Sequence, residues 1–165
     1  YANLDNHSVC GGEIGAQAKW NNGFGARLTY AYTKEQLAKD KNGNTINNQY
    51  IPAREHALNA RVDFDRQLTK TYGLNIALQG RVLSGVENVE YKDYYDVSKG
   101  TISVEYPAYT IWKLSVVQRV GKAVKVNVAL DNLFGYKPKY YYLNSPITDG
   151  INLQIGMSID IDKIF

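Results

Sequence analysis

The residues able to do chemistry are few, and their spacing suits little of it. His7 stands beside Ser8, but adjacency along a chain is not the geometry by which an imidazole takes a hydroxyl proton, so Ser8 reads as a loop hydroxyl. Asp63-x-Asp65 and Asp160-x-Asp162 each put two carboxylates on one face of an extended strand. Such pairs can share acid–base work, and more commonly they line a polar surface or rim. Cys10 is the only cysteine, which excludes an internal disulfide and Cys-based zinc sites, and His7 and His56 are too far apart in sequence for a ready histidine cluster. There is no Gly-x-Ser-x-Gly elbow, P-loop, His-Glu-x-x-His or EF-hand pattern. Catalysis, a bound metal and a resident cofactor are therefore not expected. The tyrosines say more. Of 14, Tyr91, Tyr94, Tyr95 and Tyr106 fall in one connection and Tyr136, Tyr140, Tyr141 and Tyr142 in another. Rigid, amphipathic rings of this kind suit a recognition surface, and equally suit loops packed on one another.

The elements that must carry these residues follow from composition and period. The 165 residues are 44% hydrophobic and 21% charged, enough for one domain, with a net charge of +3 and no basic run. The electrostatic footprint of a nucleic-acid binder is missing. No stretch of about 18 apolar residues could form a transmembrane helix, and no signal segment opens the chain. A start at Tyr1-Ala2-Asn3-Leu4, without an initiator Met, suggests a piece of something longer.

The dominant signal is alternation. Ile151, Leu153, Ile155, Met157, Ile159 and Ile161 share one strand face, opposite Asn152, Gln154, Gly156, Ser158 and Asp160. The same rule sorts Phe24, Ala26, Leu28, Tyr30 and Tyr32 from Arg27 and Thr29, and Leu58, Ala60, Val62 and Phe64 from Asn59, Arg61, Asp63 and Asp65. Seven strands are predicted over about 9–20, 24–34, 54–66, 72–84, 109–119, 123–133 and 150–161, antiparallel throughout, with hairpins joining the first to the second, the third to the fourth and the fifth to the sixth. Connections at 21–23, 67–71 and 120–122 are short, while those at 35–53, 85–108 and 134–149 are long, so antiparallel order gathers the long loops at one end. That asymmetry, with strand lengths near the 9–11 residues that cross a bilayer, fits an all-β, antiparallel transmembrane β-barrel segment. A soluble sheet with one face on a core gives the same alternation. It gives no reason to sort the loops by length.

The motifs add a resemblance. Gly12-Glu13 and Trp20-Asn21-Asn22-Gly23-Phe24 lead to Tyr30-Ala31-Tyr32-Thr33, and Ile51-Pro52-Ala53-Arg54-Glu55-His56-Ala57-Leu58-Asn59 opens the next strand. Trp112-Lys113-Leu114-Ser115, Arg119-Val120-Gly121-Lys122 and Val128-Ala129-Leu130-Asp131-Asn132-Leu133-Phe134 form a further hairpin, and the chain closes on Gly150 to Phe165. This set resembles the C-terminal part of a TonB-dependent outer-membrane receptor over nearly the whole chain, Asp-Asn-Leu-Phe being the most specific short signature. Lys163 stands where the terminal strand signal usually has an apolar residue, and Ser145–Gly150 occupies the place of the usual Pro-Gly-Arg.

The resemblance implies an outer-membrane location and active import of a scarce nutrient, of the iron–siderophore, haem or cobalamin class, energised by TonB. It implies as partners the rest of the barrel, a plug domain, the TonB complex and outer-membrane lipid, with the plug and the earlier strands outside residues 1–165. Phe165 would be the assembly signal. With apolar faces toward lipid, Glu13, Arg27, Asn59, Arg61, Gln79 and Arg81 line the lumen, where interstrand pairing is the ordinary role for such groups and contact with plug or substrate the functional one. Tyr91, Tyr94, Tyr95, Tyr106, Tyr140, Tyr141, Tyr142 and the rim residue His56 are the substrate-contact candidates, His56 as a haem ligand or simply as a polar rim residue. A barrel of this class has about 22 strands, so the strands at 9–20 and 150–161 are expected to pair with the remainder of the parent barrel. The rival reading is a soluble or surface β-domain that binds carbohydrate or a small ligand through its tyrosines.

Overall fold

A computed structural model describes residues 8–36, 53–93, 95–138 and 150–163. Among them are nine strands, β1 (Ser8–Lys19), β2 (Phe24–Gln36), β3 (His56–Gln67), β4 (Tyr72–Leu83), β5 (Val86–Tyr91), β6 (Thr101–Tyr106), β7 (Tyr109–Val120), β8 (Val124–Asp131) and β9 (Asn152–Ile159). Single 3₁₀ turns occupy Val97–Lys99 and Ile161–Lys163. Seven strands hydrogen-bond in the order β1-β2-β3-β4-β7-β8-β9, and β5 and β6 pair apart from them. The order is linear, with β1 and β9 at its two ends.

Partners descend on one strand as they climb on its neighbour, as antiparallel pairing requires. Thr33 N–H bonds the Glu55 carbonyl at one end of β2–β3, and Asp65 N–H bonds the Gly23 carbonyl at the other (2.9 and 2.8 Å). Between β3 and β4 the equivalent bonds join Ser84 to His56 and Leu68 to Tyr72. Register runs from Leu114↔Leu130 to Val120↔Val124 in β7–β8 and from Val124↔Ile159 to Asp131↔Asn152 in β8–β9. The three expected hairpins all form.

The stretch 85–108, expected as a loop, instead folds into the β5–β6 ribbon, paired from Val86↔Tyr106 to Tyr91↔Thr101. Its period is hard to read because six-residue strands give only three alternations. The last two strands of the sheet are shorter than expected. β8 ends at Asp131 because Asn132 turns into the left-handed region (φ 52°), and Gly150 (φ 120°) precedes β9.

Contacts gather the chain into two units. In the unit made of Tyr1–Ile14, Tyr30–Ala57 and Leu83–Tyr109, Leu83 and Tyr106 are buried. There Arg54 Nη1 donates to the carbonyls of Ser84 and Pro107, the latter at 2.8 Å, while its guanidinium sits 4.7 Å from the Tyr109 ring centre. One cation thus binds the chain on both sides of the ribbon, just before β5 and just after β6.

The other unit comprises Gly15–Thr29, Leu58–Val82 and Thr110–Phe165. Its apolar face is largely open: Val62, Leu153, Ile155, Met157 and Ile159 are all exposed, an apolar row that water would penalise and lipid would not. Aromatic rings punctuate that face. Phe24 and Phe64 lie 4.9 Å apart, and Phe134 meets Trp112 edge-on at 6.3 Å. The Trp112 indole lies flat over Gly80, so close that a Cβ there would come within 2.5 Å of ring carbons. Its Nε1 donates to Thr110 Oγ1 at 2.7 Å. Gly80→Val is accordingly expected to lower folding stability by about 1–3 kcal/mol through overpacking, read as an earlier midpoint of urea unfolding in bilayers.

Candidate functional site

Two features could meet a partner, one in each unit. The first is the polar strand face of Gly15–Thr29, Leu58–Val82 and Thr110–Phe165. Register places Gln17, Arg27, Arg61, Gln79, Lys113, Asp131 and Asn152 on successive strands in one row across that face, and the side chains stitch it. Arg27 donates through Nη2 (2.8 Å) and Nε (3.2 Å) to Gln17 Oε1. Arg61 Nε meets Asp63 Oδ1 at 2.9 Å, Lys113 Nζ meets Asp131 Oδ1 at 2.9 Å, and Arg119 Nη2 meets Asp65 Oδ1 at 2.6 Å. The last pair skips a strand. Arg119 on β7 reaches Asp65 on β3 across β4, and Gly73 makes room: a Cβ there would stand 2.7 Å from Arg119 Nε.

Between these groups lies an open depression of about 280 Å³, lined by Lys19, Arg27, Arg61, Asp63, Asp65 and Asn75 among others. Of the expected lumen-lining residues, it brings together Arg27 and Arg61. Asn59, Gln79 and Arg81 are exposed on the same strand faces outside the depression, and Glu13 is exposed on β1, in the other unit. Alternation along the strands does not pair Arg119 with Asp65. Only the strand register brings them within reach.

The second feature is the loop-side end of Tyr1–Ile14, Tyr30–Ala57 and Leu83–Tyr109. A cavity of about 450 Å³ is lined by Glu35, Glu55, His56, Ser84 and Glu87, with Ala53, Gly85 and Val86. Glu35 Oε2 accepts the Ala53 N–H at 3.0 Å, and among the described residues no acid–histidine group is arranged to hold a metal ion. His56 leans on two tyrosines. Its Nδ1 is 2.7 Å from the Tyr30 hydroxyl, and its ring centre lies 6.0 Å from that of Tyr30 and 5.2 Å from that of Tyr32. Nδ1 is therefore occupied, and Nε2 is the imidazole nitrogen left for a ligand.

The loop tyrosines separate sharply. Tyr95, in the turn between β5 and β6, is fully exposed (102%), whereas Tyr106 at the foot of β6 is 1% exposed. Tyr91 is half-buried at the end of β5, opposite Thr101. Tyr94, Tyr140, Tyr141, Tyr142 and Phe165 lie outside the described residues.

The ribbon turn is held by charge. Lys99 Nζ contacts Asp93 Oδ2 at 2.6 Å and Asp96 Oδ2 at 3.9 Å, while Asp93 Oδ1 accepts the Tyr95 N–H at 2.9 Å and Asp96 Oδ1 that of Ser98 at 3.2 Å. The Lys99 ammonium, seconded by the Tyr95 and Asp96 amides, holds the Asp93 carboxyl below the usual carboxylate range. A depressed folded-state value means that the stabilisation is complete above the unfolded value of about 4 and is lost as pH falls through the folded one. Amide exchange at Tyr95, corrected for its intrinsic rate, is expected to stay constant from pH 7 to 5 and to accelerate below about pH 4.

Comparison with known proteins places the whole. The family model described as TonB dependent receptor-like, beta-barrel matches residues 1–133. Among solved structures, the chain is similar to the FrpB iron transporter from Neisseria meningitidis (F3-3 variant), with a TM-score of 0.63 and 16% identity over 93% of this chain and 23% of that one. At this identity the likeness is one of fold, and the chain spans about a quarter of that structure's length. No curated protein matches the sequence.

Proposed function

Because the chain belongs to the TonB-dependent receptor-like β-barrel family, we propose that it forms part of the wall of an outer-membrane receptor that binds and imports a scarce nutrient, energised by TonB. The observation that carries this reading is the sorting of the strand faces: Leu153, Ile155, Met157 and Ile159 stand exposed on one side, and the ion pairs of Arg61, Lys113 and Arg119 occupy the other. A membrane barrel needs that arrangement, with lipid outside and a polar lumen within. β1 and β9, at the ends of the sheet order, then pair with the remaining strands of the barrel, because an unsatisfied backbone edge in hydrocarbon costs several kcal/mol per group.

The substrate is of the iron–siderophore, haem or cobalamin class, and it passes through unaltered. In the unit that holds the ribbon, contact falls to Tyr95 on the ribbon turn, Tyr91 at the end of β5 and His56 through Nε2; Tyr94, Tyr140, Tyr141 and Tyr142 are further candidates by their place in the sequence. The solved structure that the chain resembles in fold is an iron transporter, which favours an iron-bearing cargo. The test is uptake. A strain lacking the receptor gene is given labelled ferric siderophores, haem and cobalamin in turn, and uptake of one of them is expected to fall to background, to return on complementation and to fall again when TonB is deleted. Unchanged uptake of all three overturns the proposal.

A further inference from the structure

The short turns of the sheet all lie in the unit of Gly15–Thr29, Leu58–Val82 and Thr110–Phe165, and backbone bonds tie them together. The Gly121 N–H donates to the Thr71 carbonyl at 2.7 Å, joining the β7–β8 turn to the β3–β4 turn, and the Asp160 N–H donates to the Ala123 carbonyl at 2.8 Å, joining the end of β9 to the same place. Lys70 and Lys122 are thus each next in sequence to a partner of one hydrogen bond. Arg66 precedes them on β3, on the strand face that carries Val62 and Phe64. All three cations are exposed, and none meets a carboxylate among the described residues. The acids of this end are engaged elsewhere: Asp65, on the opposite face from Arg66, meets Arg119 at 2.6 Å, and Asp160 meets Lys163. Asp162 alone remains to offset them.

What borders these cations is apolar. Trp20, Phe24, Leu68 and Val120 stand exposed in the same turns or at the strand ends beside them, and the Phe24 and Phe64 rings lie 4.9 Å apart. A Cβ on Gly23 would come within 3.2 Å of Arg66 Cβ and 3.3 Å of Phe64 Cε2, so the β1–β2 turn seats the Arg66 stem beside that ring pair. Aromatic rings edged by guanidinium and ammonium groups suit the level at which hydrocarbon gives way to headgroups. We propose that Arg66, Lys70 and Lys122 form a binding surface for the phosphate of an anionic phospholipid, of the phosphatidylglycerol or cardiolipin kind, whose acyl chains lie along the apolar border. The inference rests on the membrane orientation proposed above. Short turns of such barrels face the periplasm, and the leaflet on that side is the phospholipid one. Phosphatidylethanolamine carries an ammonium that balances its own phosphate, whereas an anionic headgroup leaves its charge to the protein, at about fivefold in binding for each Lys or Arg near the surface. A free phosphate would use the cations and leave the apolar border without a role, which commits the surface to a lipid.

The experiment places the full-length receptor in vesicles of phosphatidylethanolamine that contain, at the same low mole fraction, either phosphatidylglycerol or phosphatidylethanolamine with a diazirine at the glycerol end of one acyl chain. After irradiation, label is read by mass spectrometry on two peptides, Phe64–Tyr72 and Leu153–Ile159, released by a protease that cuts outside the substituted positions. Leu153–Ile159 is expected to take both lipids equally, and Phe64–Tyr72 to take the phosphatidylglycerol probe roughly tenfold more. Arg66→Gln should cut that preference about fivefold, and adding Lys70→Gln and Lys122→Gln should bring it to parity, with the label on Leu153–Ile159 unchanged as the sign of an intact barrel. Lys125→Gln removes a cation near the same end but on the polar face, opposite Ser158, and should leave the preference as it was. Absence of label from both lipids on Leu153–Ile159 overturns the membrane orientation and this inference together. With that peptide labelled, equal label from the two probes on Phe64–Tyr72 overturns this inference alone, as does a preference that survives the triple variant or falls as far in Lys125→Gln. Loss of the preference in inorganic phosphate, at an ionic strength matched with chloride, shows a free-phosphate surface and overturns the lipid.

Discussion

Ile155→Arg is expected to cost the barrel roughly 2–4 kcal/mol of folding free energy in a bilayer, the range for a cation on the lipid face near the midplane. Ile155 lies in the middle of β9, opposite Val128, with 71% of its surface exposed. Met157 and Leu153 flank it on the same face, both exposed. In water such a row would be a liability. In lipid it is the surface the solvent prefers, and a guanidinium there must be desolvated or must snorkel along the strand to the interface. The neighbouring position supplies the control. Gln154 pairs with Ala129 on the opposite face, so Gln154→Arg is expected to change stability by no more than about 0.5 kcal/mol, as surface substitutions usually do. Reversible unfolding of both variants in vesicles separates the cases. Equal costs would show that the two faces meet the same environment, and the membrane orientation would be wrong.

The sheet was legible in the sequence because a period of two survives wherever a strand faces two different solvents. Residues 151–161 are the clearest instance: every odd position is apolar, every even one polar or glycine, and β9 forms there in register with β8. The β5–β6 ribbon was not legible, since Val86–Tyr91 is too short to establish a period. The tyrosines mark a second limit. Tyr95 and Tyr106 belong to one connection and look equivalent as residues, yet one stands in a turn and the other is sealed at the foot of a strand. Side-chain pairing across strands was hidden for a different reason. Arg119 finds Asp65 only because β4 lies between them and carries Gly73 at the crossing point, a fact of register that no single strand contains. Arg54 is the same case, bound to both feet of a ribbon the period did not reveal.

Asn132→Ala is expected to be the other costly substitution, at roughly 2–4 kcal/mol, from the loss of buried hydrogen bonds and the strain of a left-handed residue. Asn132 is the Asn of the Asp-Asn-Leu-Phe signature, and the structure gives that signature a physical reason. The residue is 4% exposed with φ at 52°, a conformation that Asn tolerates and Ala does not. Its amide works as a clasp: Nδ2 donates to the carbonyls of Tyr136 (2.7 Å) and Gly150 (3.1 Å), while Oδ1 accepts the Tyr136 N–H at 2.9 Å. One side chain therefore joins the end of β8 to the start of β9, closing the base of the connection that carries Tyr140, Tyr141 and Tyr142. Next to it, Phe134 lies edge-on against Trp112, so the turn is tied to β7 as well. Removing the amide leaves the Tyr136 N–H and two carbonyls without this partner and a Cβ in the wrong backbone region. Asn132→Asp keeps Oδ1 as acceptor and loses the two donated bonds, so it should fall between wild type and Ala; Asn132→Gly should relieve the strain but not restore the bonds. Unfolding of the three variants in vesicles, together with protease cleavage between residues 136 and 150, reads the effect. Faster cleavage in the order Asp, Gly, Ala is the expected result, and a barrel as stable and as resistant with Ala as with Asn would show that the clasp contributes nothing.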